Sequence, residues 1–167
     1  GVPLRGKMNA DLSVHGSAGS PAVSGNASLR HLAIGKHRIE DFEAAFRETA
    51  PRTTEADFSM KVEGEEVRGR GRLSDTGKTQ GELSAEGIPL ESFSDLAPWL
   101  GDLRGKAGFS LSLLGSLREP DVTGSVHVEK LRMRGVSFDS LDANVHYAQK
   151  NLAILPLTLK KGPALYE

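Results

Sequence analysis

Apolar and polar residues alternate with a period of two along most of this chain. Met8, Ala10, Leu12 and Val14 take turns with Asn9, Asp11, Ser13 and His15, and Phe109, Leu111 and Leu113 do so with Ser110 and Ser112. Side chains two apart share one face of a strand, so each run predicts a half-buried β-strand. Ala56, Phe58, Met60 and Val62 form another; Gly64 and Glu65 turn the chain; Val67, Gly69, Gly71 and Leu73 return it, and SDTGKT turns it again into Leu83 and Ala85. Turns at a spacing of roughly 8 to 12 residues predict an up-and-down meander of about ten strands. One stretch departs from the rule. IPLESFSDLAPWLGDL, residues 88 to 103, places Leu90, Phe93, Leu96 and Leu100 at helical spacing, with Ser92 as a cap and Gly101 as a stop, and predicts one short helix near 90–100.

The pattern repeats. LRGKMNADLSVHGS from Leu4 matches LRGKAGFSLSLLGS from Leu103, 99 residues later, and the same offset sets Pro21 against Pro120, Gly25 against Gly124 and Leu32 against Leu131 without a gap. The chain therefore reads as two copies of one unit, about 4–102 and 103–167, the second incomplete. In both copies the alternation slips by one, at Arg30-His31 and at Glu129-Lys130, which predicts a β-bulge or bend at the same place twice. The start at GVPLRGK without a Met and the end at PALYE read as a segment of a longer chain, with any targeting sequence elsewhere.

Packing restricts what such strands do. An apolar face exposes about 25 cal/mol for each Å² left in water, and one short helix covers little of it, so the sheet is expected to cover itself as a sandwich, a barrel or a trough. Head-to-tail repetition favours an open array over a closed barrel. The predicted fold is thus all-β, an elongated antiparallel meander sheet curled into an open U-shaped groove, on the order of 48 Å long for ten strands at about 4.8 Å spacing. The period-two pattern puts Met8, Leu12, Val14, Val23, Phe58, Met60, Phe109, Leu111, Leu113, Val122, Val126, Val128 and Val145 on its inner wall as candidate lining residues. Gly25, Gly69, Gly71 and Gly124 also fall on inward positions, where they serve either a strong bend or room for an acyl chain.

Composition narrows the chemistry. With 21 Lys and Arg dispersed among 22 Asp and Glu, the net charge of −1 offers no footprint for nucleic acid. The absence of Cys excludes disulfides, thiolate metal sites and Cys nucleophiles. No run of about 18 apolar residues is present, so no helix spans a bilayer. Asp75-Thr76-Gly77 has the letters of an aspartic protease triplet, yet Lys78 follows and the flanks are polar, which predicts a hairpin turn. Gly77-Lys78-Thr79 lacks the Gly a phosphate loop needs at position 72, which is Arg. His15, His31, His37, His127 and His146 have no ligand spacing, and Arg68, Arg70 and Arg72 sit among Glu65, Glu66 and Asp75 on a solvated wall. One Trp and two Tyr provide few platforms for a carbohydrate-binding sandwich. No catalytic residue, metal site or cofactor is predicted.

The phrase L-x-G-x-x-x-x-x-L-x-x-x-G-S-x-x-x-P-x-V-x-G-x-x-x-x-x-x-L, from Leu4 to Leu32 and again from Leu103 to Leu131, resembles the repeats of the TamB and AsmA-like bacterial envelope proteins, and DLAPWLGDLRGK resembles the way their units join. The resemblance implies a non-enzymatic lipid-transfer segment in the periplasm, its parent anchored in the inner membrane, whose groove shields phospholipid acyl chains between inner and outer membranes. The alternative reading is a chaperone or assembly module for outer-membrane proteins that works through an open edge strand with a TamA-like barrel partner.

Overall fold

The computed structural model describes residues 4–17, 20–34, 37–50, 52–93, 101–116 and 118–166. They form one antiparallel sheet. Its strands are β1 (Leu4–Ser17), β2 (Ser20–Ile34), β3 (His37–Ala50), β4 (Thr53–Val62), β5 (Glu65–Ser74), β6 (Lys78–Pro89), β7 (Arg104–Ser116), β8 (Pro120–Met133), β9 (Val136–Ser137), β10 (Ser140–Ala148), β11 (Asn151–Lys161) and β12 (Ala164–Tyr166). Each strand pairs with its neighbour in sequence, and only the two-residue β9 stands off the path, on β8. Hairpin turns make this order: Gly64, Gly77 and Gly135 have φ of 87°, 78° and 77°, the left-handed region in which a side chain is strained. Asp75-Thr76-Gly77 is thus the tip of the β5–β6 hairpin, closed by the Gly77 N–H donating to the Ser74 carbonyl at 3.0 Å.

The pairing registers recur with the sequence offset. Arg5 faces Ala33 and Lys7 faces Arg30 across β1–β2, and Arg104 faces Arg132 and Lys106 faces Glu129 across β7–β8, so one extra residue is accommodated in β2 and β8 at corresponding places. In β8 the extra residue is the slip at Glu129-Lys130. Lys130 has φ 51°, its N–H leaves the ladder to donate to the Asp139 carbonyl at 2.8 Å, and Val128 and Leu131 on either side are both buried. Even the three residues of β12 follow the pattern, since Lys161 faces Ala164 as Val62 faces Glu65.

The sheet does not curl into a U-shaped groove. β1 and β12 lie at opposite ends of the strand order, and substantial packing among the described residues joins only hydrogen-bonded neighbours and the turn that precedes β7. Two facing walls would have buried the apolar residues of β1, yet Met8, Leu12 and Val14 are 67, 66 and 62 % exposed. The physical reason is that the sheet reduces its apolar surface without a second wall. Large side chains lie down across it onto glycines of the next strand: the Phe46 ring occupies the place of a Cβ on Gly25, the Phe58 ring that of Gly69, and Leu111 that of Gly124. One end of the strands is also capped. Val67, Ala85 and Ile88 pack with Met60, Val62, Leu83 and Phe109, and Ala107, Val128 and Leu131 pack with Leu90, Leu103 and Phe138.

The expected helix is a 3-10 turn over Leu90–Phe93. This turn follows directly on Pro89, where β6 ends. Leu96 and Leu100 of that expectation lie outside the described residues.

Candidate functional site

The register assembles the apolar face in rows that cross the sheet. One row runs Leu12, Gly25, Phe46, Ala56, Gly71, Gly81, Leu113, Val122, Tyr147, Leu152 from β1 to β11. The next runs Ala10, Ala27, Ala44, Phe58, Gly69, Leu83, Leu111, Gly124, Val145, Ile154. Neither row contains a charge. Successive strands present the same face because each hairpin joins alternating positions in phase.

Within this face the sequence-predicted lining residues divide into groups. Phe58, Leu111, Leu113 and Val122 border a hollow of about 560 Å³, together with Thr54, Ala56, Gly71, Leu73, Thr79, Gly81 and Leu83. Met60, Phe109, Val126 and Val128 instead belong to the packed end of the strands. Met8, Leu12 and Val14 stand exposed on β1. Val23 and Val145 are half-buried, Val23 opposite Val14 and Val145 opposite Gly124.

The hollow exists because Gly71 and Gly81 face each other across β5–β6. A Cβ on Gly71 would meet only backbone, the Gln80 carbonyl at 3.3 Å and Gly81 Cα at 3.8 Å, so no side chain lies over it. The glycines therefore play two parts. Gly25, Gly69 and Gly124 receive a neighbour's side chain, whereas Gly71 and Gly81 leave the floor bare. Gly81 and its partner are legible once the β5–β6 turn is centred on Thr76, since Leu73 then faces Thr79 and Gly71 faces Gly81. Thr79 Oγ1 is buried there without a hydrogen-bond partner among the described residues.

The opposite face is ionic. Arg70 donates to Glu82 at 2.9 and 2.7 Å, Arg68 to Glu66 at 2.6 Å, and Arg72 to Glu55, which also accepts from Arg47 at 3.4 Å. His127 contacts Asp142 at 2.6 Å and His146 contacts Asp121 at 3.0 Å, so both rings are exposed and paired with carboxylates. His15 is exposed, and the side chains of His31 and His37 lie outside the described residues. Among the described residues no cluster of three metal-ligating side chains occurs. A larger depression, about 690 Å³, lies on this face among Asn9, Asp11, Glu43, Asp57 and Arg70, but its ionised lining keeps its hydration and offers no apolar ligand a gain.

The hydrogen bonding from Arg72 holds the Glu55 carboxyl below the ordinary glutamate range against an opposing desolvation, helped by the charge of Arg72 and by the hydrogen bond and charge of Arg47. A depressed folded value means that the bridge contributes above the unfolded pKa and is lost as pH falls through the folded one. In a carboxyl NMR titration Glu55 is expected to titrate at lower pH in the wild-type chain than after Arg72→Gln.

No protein-family model, curated protein or solved structure matches this chain.

Proposed function

We propose that this chain is a lipid-binding segment of a periplasmic lipid-transfer protein, and that its open apolar face shields phospholipid acyl chains between the inner and outer membranes. The hollow floored by Gly71 and Gly81, set in charge-free rows that continue to both sides of it, is the observation that carries the reading. Each methylene moved from water to such a lining gains about 0.8 kcal/mol, so a tail laid along the rows is held without a specific polar contact and can slide. The repeat resemblance to TamB and AsmA-like proteins supports the envelope setting and an inner-membrane anchor in the parent.

Photo-crosslinking tests it in cells. A crosslinking residue in place of Leu111, in the hollow, is expected to capture phospholipid, and one in place of Ser112, on the ionic face, is not. Equal capture at both positions would remove the reading.

A further inference from the structure

The two edges of the sheet are not alike. At one end, β11 is irregular: Val145 pairs with Ile154 but Ala143 with Leu157, so Leu155 and Pro156 together stand against Asn144 as a bulge, and β12 covers Leu159–Lys161. A proline, a bulge and a short covering strand are the devices that blunt an edge against further pairing. The other end lacks the proline and the covering strand, and its bulge lies before Lys7. From Lys7 to Ser17 β1 pairs with β2 residue for residue, and its other side meets no strand among the described residues.

The repeat says what fits that open side. Lys7–Ser17 corresponds by the 99-residue offset to Lys106–Ser116 of β7, and the two segments share Lys, Leu, Ser, Gly and Ser at matching places. In β7 this same edge is occupied. β6, with the sequence KTQGELSAEGIP, runs antiparallel along it from Lys78 opposite Ser116 to Pro89 opposite Lys106. Transferred to β1, its register sets Leu83 opposite Leu12, Ala85 opposite Ala10 and Gly81 opposite Val14, while Glu82 and Ser84 fall on the ionic face beside Ser13 and Asp11. Every apolar position meets an apolar one, and exposed Leu12 and Val14 become covered.

We infer that the free edge of β1 is a strand-acceptor site for an extended segment of β6 type: antiparallel, small or aliphatic at alternate positions, polar between them, and without a β-bulge across the central residues. Backbone hydrogen bonds supply the attraction, and the alternation supplies the selectivity, because a one-residue slip would turn Leu and Ala to the ionic face. The inference is independent of what the apolar face carries.

The test adds a synthetic peptide KTQGELSAEGIP to the intact chain and follows amide hydrogen exchange. The edge-facing amides between Lys7 and Ser17 are expected to slow by about tenfold or more at saturating peptide. A peptide with its Leu and Ala replaced by Asp, KTQGEDSDEGIP, removes the apolar positions in every register and is expected to leave them unchanged. No slowing in β1, equal slowing with both peptides, or slowing confined to β11 would overturn the assignment. So would slowing that rises with protein concentration in the absence of peptide, which would make a second copy the occupant.

Discussion

Replacing Gly124 by alanine is expected to destabilise this protein by about 2–4 kcal/mol, the largest effect of any single methyl group added to its sheet. A Cβ at this position would overlap the Ser110 carbonyl oxygen and lie 2.8 Å from Leu111 Cα, both backbone atoms of β7. β7 is held from its other side by β6 and cannot step back. The repeat provides an internal control. Gly25 is the corresponding residue, and its Cβ would lie 2.7 Å from the Asp11 carbonyl oxygen, but β1 is an edge strand, and the other neighbour is the ring of Phe46, which can swing away. Gly25→Ala should therefore cost less than Gly124→Ala in urea denaturation. Equal losses would mean that the edge is as firmly held as the interior.

A charge in the hollow should abolish binding of a fluorescent fatty acid while the same charge one residue away leaves it intact. Leu111→Asp is expected to weaken binding roughly 100-fold, about 2.7 kcal/mol, because an ionised carboxylate facing an acyl chain loses hydration and gains no partner. Ser112→Asp, on the ionic face, should change affinity by less than about threefold. Since Leu111 also lies across Gly124, Leu111→Gln is measured beside it, with strand content followed by circular dichroism. A folded Leu111→Asp chain that binds fatty acid as well as wild type would overturn the proposed function.

Strand positions, hairpin tips and the two-faced character of the sheet were legible in the sequence, since each depends on neighbours two to four residues apart. The alternation around Leu12 and Leu111 assigns their faces, Asp75-Thr76-Gly77 marks a turn, and the slip at Glu129-Lys130 marks the bulge. The repeat was legible too, and with it the recurrence of registers between β1–β2 and β7–β8. Shape was not. The expectation of a U-shaped groove treated the apolar face as bare surface that needed a second wall, and alternation records only which side a residue takes, not how far its side chain reaches across the sheet. Phe46 over Gly25, Phe58 over Gly69 and Leu111 over Gly124 cover the face from within, and those contacts require the register of residues 11 to 21 apart in sequence. The split of the predicted lining between a capped end around Phe109 and Val128 and an open hollow around Leu113 and Val122 depends likewise on where Leu90, Leu103 and Phe138 land. Local periodicity, then, determined by itself which residues share a face; only the tertiary structure decided which of them are covered, because covering depends on the reach and direction of side chains from strands the periodicity does not connect.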